Sequence, residues 1–191
     1  MDKKHMRAGL RLVDVARWNM VRLQRGQSVL EHSAAVAFIA ARLAQKTGLC
    51  PKTASYWGLM HDIDEATTAD IPSHVKRAVK HAGVDMNELY SPFDKVPDEY
   101  RQIIKMADKL EGMFWLMEYK HGSHAEWVLT DITDNYSAAM RLLGEEMQTA
   151  VSEVWAEMNA DIRPDFSFGN APEAKDPPVP FMQGVKLEVV K

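Results

Sequence analysis

Four ionisable residues stand where the surrounding pattern is that of apolar helix: His32, the adjacent pair His61-Asp62, and Asp108. Such groups are costly to bury unless they are paired or bound to something. Two imidazoles and two carboxylates make a mixed nitrogen and oxygen donor set. It suits Mn, Fe, Co, Zn or Mg and does not choose among them. Four protein ligands on a six-coordinate cation leave room for water and a phosphate oxygen. Such a cation polarises a phosphorus centre and lowers the pKa of a bound water. Glu65 follows His61 by four residues, so a continuing helical turn puts both on one face. There it can position or deprotonate an attacking water. Each residue also has a plainer reading taken singly. His32 could be a core histidine bonded to a backbone carbonyl, Asp108 could pair with an arginine, and a lone His-Asp dipeptide is a weak motif. The order of all of them along the chain argues for a site.

The elements that must position these residues are helical. Ser28 and Glu31 form a capping box ahead of Val36, Ile39, Ala40 and Leu43, so a helix is expected over 28–47, ended by Gly48. A second helix from near Thr53 carries Tyr56, Trp57, Leu59 and Met60 into His61-Asp62. Residues 63–72 read as a short polar turn, and Ser73 caps a third helix to about Gly83. Residues 84–97 are loop-like. A long helix over 98–120 has the apolar face Ile103, Ala107, Leu110, Phe114 and Met117, and Gly122 closes it. A further helix is expected over 131–159 with a break near Gly144. No β-strand is expected before residue 160. The fold class is therefore all-α, a compact helical bundle over 1–160 with an irregular Pro-containing C-terminal extension over 161–191.

Composition is consistent with this. The chain has 191 residues, a net charge of -4 and a pI near 6.0. That balance argues against general coating of a nucleic-acid polymer. The single cysteine, Cys50, can make neither an internal disulfide nor a Cys-rich zinc site, which points to a reducing, cytoplasmic setting. The N-terminus has no signal-peptide pattern, and no stretch approaches the roughly 20 apolar residues of a membrane span.

The order H…HD…D resembles the signature of the HD-domain phosphohydrolase superfamily. RW at 17–18, SVLEHS at 28–33, HDIDEATTADIPSHVK at 61–76 and KMADKL at 105–110 resemble the bacterial 5′-deoxynucleotidase branch and the short phage enzymes that hydrolyse dATP. The resemblance implies metal ligands at His32, His61, Asp62 and Asp108, with Glu65 as the catalytic carboxylate near the water. It implies a catalytic or sugar-recognising role for Asp70 and phosphate binding by Arg17. Trp18, Met20 and Pro72 would shape the base and sugar pocket. The residues themselves agree in part, since Arg17 offers a planar fork for phosphate oxygens and Trp18 a flat face for a base. Without the family, core packing would be preferred for Trp18, and the plainer reading of Arg17 is a solvated helix residue.

Charge bears on the substrate. Lys76 and Lys80 are four residues apart on the third helix and share a face. A triphosphate calls for more positive charge than a monophosphate, so the pair favours a dATP-like triphosphohydrolase yielding deoxynucleoside and triphosphate. The alternatives are a 5′-deoxynucleotidase acting on monophosphates, an HD hydrolase of cyclic dinucleotides or (p)ppGpp, which the RW and DIP text disfavours, and a catalytically silent nucleotide-binding module. Lys76, Arg77 and Lys80 could equally be a solvated basic face. Adenine is expected by family analogy alone. The resemblance also implies a divalent metal cofactor, a small deoxynucleotide as partner, and a cytoplasmic bacterial or phage-encoded enzyme. Trp115, Trp127 and Trp155 exceed what a small bundle must bury, which points to a homo-oligomer, and the resemblance implies a dimer or larger ring.

Overall fold

Ser28 starts the helix that carries His32. In the computed structural model, which describes residues 3–83 and 96–160, the Ser28 side chain accepts from the Glu31 backbone N–H at 3.2 Å. The Glu31 carboxylate accepts in return from the Ser28 N–H at 2.8 Å. This capping box launches α2 (Val29–Lys46), preceded by α1 (Lys3–Arg11) and a 3-10 turn over Leu12–Asp14. α2 buries Val29, His32, Ser33, Val36, Ile39, Ala40 and Leu43 along one stripe. His32 thus lies on the core side of an amphipathic helix, and its burial is dictated by the apolar residues around it.

α3 (Pro51–Met60) begins with proline at its first turn, where a missing N–H costs nothing. It approaches α2 very closely at Gly58. α4 (Glu65–Thr68) and α5 (Ser73–His81) follow, then the long α6 (Asp98–Tyr119), α7 (Ser123–Met140) and α8 (Glu145–Met158). The core joins Val36, Ala40 and Leu43 of α2 to Ala54 of α3, Ile103, Ile104, Ala107 and Leu110 of α6, and Val151 and Val154 of α8. Each fully buried aliphatic side chain of this kind contributes about 1.5–3 kcal/mol. α2, α3 and α6 are thereby fixed against one another, and they are the helices that carry the site.

The fold class is all-α, as expected, with one local exception to the expected absence of strands. β1 (Ala16–Arg17) and β2 (Gln27–Ser28) pair antiparallel, Ala16 with Ser28 and Arg17 with Gln27. Two residues per strand are too few for alternation to be visible in the sequence. The loop between them is pinned to the end of α6, where Gln24 N–H donates to Tyr119 O at 2.8 Å and His121 N–H to Arg22 O at 3.2 Å. Two further boundaries differ from the expectation. The segment 63–72 contains the four-residue α4, and α7 starts at Ser123, eight residues before Asp131. His124, Trp127, Val128 and Thr130 are weak helix formers, which hid the first two turns of α7. The break near Gly144 is present between α7 and α8. Trp115 is buried, with the Arg25 guanidinium 4.9 Å above its ring, so it is part of the protomer's own packing and gives no support to an interface. Trp155 is half-buried against the core, and only Trp127 is largely exposed. The C-terminal extension over 161–191 and nearly all of the expected 84–97 loop lie outside the described residues. No helix among the described residues is long and apolar enough to cross a membrane.

Candidate functional site

His32 from α2 and His61-Asp62 from the end of α3 meet in the interior. His32 Nε2 and His61 Nε2 are 3.2 Å apart. Asp62 Oδ2 lies 3.1 Å from His61 Nε2 and 3.5 Å from His32 Nε2. The three residues present ligand atoms all within 4.8 Å of one another. Asp108 joins from α6, with Oδ1 3.3 Å from His32 Nε2. The other ring nitrogens are tied back. His61 Nδ1–H donates to Gly58 O at 2.7 Å, and His32 Nδ1–H donates to the buried carboxylate of Glu111. A carbonyl and a carboxylate can only accept, so both imidazoles turn Nε2 inward, toward the same small volume. This is how metal-binding histidines are oriented. Asp62, Asp108 and Glu111 set against Arg17 leave two uncompensated negative charges, the charge of one divalent cation. The donor set fits such a cation.

The electrostatics follow from this crowding. Burial and the nearby Arg17 press the His32 pKa down, but hydrogen bonds to Asp108, Asp62 and Glu111 outweigh them and lift it to about 10. His61 is also raised, burial opposing and Asp62 prevailing. Burial opposes the ionisation of Asp62 and Asp108, yet the imidazoles, with Arg17 assisting at Asp108, hold both carboxyls below the usual range. A proton on His32 occupies, electrostatically, the place of a cation. Glu65 behaves oppositely. Burial first, then the charge of Asp62, push it up to about 8 against the pull of Lys76. The Lys76 ammonium sits 3.0 Å from Glu65 Oε1.

A cleft of about 680 Å³ opens beside this cluster, within the ~300–1,000 Å³ usual for small-ligand sites. Arg17, Trp18, Met20, Asp70, Pro72 and Asp108 of the sequence-derived set line it. His32, His61, Asp62, Glu65 and Lys76 are not among its lining residues, and the Lys80 side chain lies outside the described residues. Arg17 sits on β1, not on a helix, and is no solvated residue. It forks between Glu111 Oε2 at 3.1 Å and Asp108 Oδ1 at 3.4 Å. Trp18 has a positive φ of 60°, its ring edge rests on Gly112, and its backbone N–H donates to Asp70 Oδ2 at 3.1 Å. Ala69, beside Asp70, also has a positive φ, 59°. Two non-glycine residues held in the left-handed region on either side of one hydrogen bond mark a wall shaped by its surroundings. Met20 is mostly exposed on the rim.

Several cleft residues escaped the sequence reading. His124, Trp127, Asp131 and Asn135 form the opposite wall, and Lys109 lies beside Asp108. Their spacing of three and four residues is a helical face, legible only once α7 is begun at Ser123. Glu111, three residues after Asp108, and Gln27, just before the Ser28 cap, were also missed. A carboxylate at i+3 from a ligand on a buried face was the available signal for Glu111.

Comparison with known proteins follows the same lines. The family described as 5′-deoxynucleotidase YfbR-like matches residues 4–175. The chain belongs to this family. A dATP triphosphohydrolase of Acinetobacter phage SH-Ab 15497 is 35% identical, over 62% of this chain and 70% of the relative. A second, from Salmonella phage PMBT28, is 29% identical over 76% and 82%. Among solved structures, the HD phosphohydrolase of cyanophage S-2L, bound to dA and one catalytic Zn2+, superposes with a TM-score of 0.66. It is 20% identical and covers 82% of this chain and 95% of its own, a likeness of fold.

Proposed function

We propose that this YfbR-like chain is a divalent-metal-dependent phosphohydrolase that cleaves a deoxynucleoside triphosphate, dATP-like, into deoxynucleoside and triphosphate. The observation that carries this reading is the junction of two sites. Asp108 and Arg17 belong at once to the His32, His61 and Asp62 cluster and to the wall of the cleft that holds Trp18 and Pro72. A phosphate ester whose base lies between Trp18 and Pro72 meets the cluster at its phosphate end. The names of the two phage relatives support the triphosphate as substrate.

His32, His61, Asp62 and Asp108 would hold the cation. Bound there, a divalent ion such as Mn, Co, Zn or Mg supplies Lewis-acid polarisation of the phosphate and acidifies a water. Arg17 holds the α-phosphate oxygens with its planar fork, and its existing grip on Glu111 and Asp108 keeps the fork in place. Glu65, with a pKa near neutrality at about 8, is suited to take a proton from the attacking water and release it. Water adds to the α-phosphorus, the bond to the 5′-oxygen breaks, and that oxygen leaves with a proton. Asp70 fixes the Trp18 backbone and lines the cleft, where it would meet the sugar. Lys76 and Lys80 would bind the β- and γ-phosphates. The enzyme would work as a homo-oligomer in the cytoplasm of a bacterium, its own or a phage's host.

The second reading, a 5′-deoxynucleotidase releasing orthophosphate from monophosphates, is favoured by two facts. It is the activity in the family's description, and Lys76 is engaged by Glu65 instead of being free for a distal phosphate. Product analysis separates the two. Protein reconstituted with Mn or Co is incubated with dATP and with dAMP, and inorganic products are resolved by ion chromatography. Triphosphate from dATP is expected. Orthophosphate from dAMP with dATP untouched would replace this reading with the second.

A further inference from the structure

The carboxylate of Glu111 and the amide of Gln27 are both buried, each 3% exposed, and neither belongs to the cluster or touches the cleft volume. Together they join the two. Trp18 Nε1–H donates to Gln27 Oε1 at 2.8 Å. The Gln27 amide NH2 donates to Glu111 Oε1. Glu111 Oε2 accepts from His32 Nδ1–H and from Arg17 Nη1–H. Only one orientation of the Gln27 amide satisfies both its partners, because an indole N–H can only donate and a carboxylate can only accept. The donors therefore converge on the Glu111 carboxylate, from the flat ring on the cleft wall by way of Gln27 and from the imidazole of the cluster directly. The anchors of this network lie on β1, β2, α2 and α6, so it ties the hairpin that presents Arg17 to the two helices that carry His32 and Asp108.

We propose, resting on the functional reading above, that Glu111 and Gln27 are positioning residues. Glu111 sets the ring of His32 toward the cation and the fork of Arg17 toward the phosphate. Gln27 fixes Trp18 relative to that same carboxylate, so that the base end and the phosphate end of a nucleotide are held in one frame. Each role is separable, because Glu111 touches the cluster directly and Gln27 reaches it only through Glu111.

The test uses the full chain with Glu111→Gln and Gln27→Met, in two measurements. Mn(II) affinity of metal-free protein is read by calorimetry without nucleotide, and KM and kcat are read on whichever of dATP or dAMP the wild type turns over. Glu111→Gln should weaken Mn(II) binding about 10–100-fold, the usual effect of losing a partner behind a metal ligand, and should lower kcat. Glu111→Asp should recover part of both. Gln27→Met should raise KM several-fold and leave kcat and Mn(II) affinity within twofold. A merely structural role would move stability without splitting KM from kcat. Wild-type Mn(II) affinity in Glu111→Gln, or an unchanged KM in Gln27→Met, overturns the inference. If Glu111→Gln fails to fold, the Gln27→Met split decides alone. A wild-type protein that binds Mn(II) but hydrolyses neither nucleotide defeats the functional reading, and the Glu111 arm still stands on metal affinity.

Discussion

Gly58 is a stringent place to perturb the site without touching a ligand. A Cβ built there lies 2.8 Å from Ala37 Cα, 3.1 Å from Ala37 N and 3.2 Å from Val36 O, all backbone of α2. Ordinary contact begins at 3.4 Å, so α3 must move from α2 by about 0.6 Å or more. Backbone atoms of a packed helix cannot swing aside as a side chain would. Overpacking of this kind costs about 1–3 kcal/mol, and the better helix propensity of alanine returns up to about 1 kcal/mol. Gly58→Ala should therefore lose up to about 2 kcal/mol once that return is counted in full, read as a lower urea midpoint at unchanged m-value. The functional loss should be larger. The Gly58 carbonyl anchors His61 Nδ1 at 2.7 Å, and His61 faces His32 across 3.2 Å. Displacing α3 separates ligands carried on different helices, and misplacement of about 1 Å can cost on the order of 100-fold in rate. Turnover with saturating Mn should fall about 10-fold or more. Gly112→Ala is the control for stability, since its Cβ meets Trp18 only at 3.7 Å and a mid-helix alanine should stabilise α6. A Gly58→Ala protein with wild-type urea midpoint and turnover would refute the claim that the α2–α3 approach sets the ligand geometry.

Two further outcomes concern pH. With the His32 pKa at about 10 in the metal-free protein, the ring is protonated at pH 7.5, and a cation requires it neutral. Metal binding should release protons and tighten as pH rises from 6.5 to 8.5. Calorimetry in two buffers of different ionisation enthalpy measures this, and identical heats would refute it. The same raised pKa stabilises the metal-free fold below about pH 6.5, a contribution lost as pH rises through about 10. On the surface, Arg42 and Lys46 of α2 hold the Glu157 pKa down to about 2, with Arg42 bidentate at 2.8 and 2.9 Å. A depressed carboxylate stabilises above its ordinary pKa of 4.5 and ceases to as pH falls through about 2. The Tm gap between wild type and Glu157→Gln should shrink between pH 6 and pH 2, and a constant gap would show that the pair does not link α2 to α8.

How much of this was legible beforehand depended on whether a feature is local. The capping box of Ser28 and Glu31 and the stripe of α2 follow from spacing within one helix, and the structure has them. On α6 the expected Ile103, Ala107 and Leu110 are buried, but past Leu110 the buried side turns to Met113 and Leu116, leaving Phe114 half-buried and Met117 exposed. The meeting of His32 with His61-Asp62 was legible only as an order of residue types, because it depends on α3 lying against α2. The close approach at Gly58 makes that possible, and a glycine inside a helix looks in sequence like a weak point. The hairpin that presents Arg17 and Trp18 was invisible at two residues per strand. Trp115 was read as a surface tryptophan because sequence cannot tell that Arg25, ninety residues earlier, covers its ring. The early start of α7 was hidden by weak helix formers, and with it the whole far wall of the cleft.

Glu111 shows why the missed residues matter to the chemistry. Asp62 and Asp108 against Arg17 would leave a single negative charge, and a divalent ion would then overcompensate the interior. Adding the buried Glu111 brings the balance to two. The same carboxylate orients His32 through Nδ1, so the residue that tunes the charge of the cluster also aims one of its ligands. Without a cation that charge draws a proton to His32, and the same carboxylates and imidazoles raise both histidine pKa values and lower both aspartate ones. Proton and cation thus compete for one place, and the carboxylate count sets the charge on the ion that wins it.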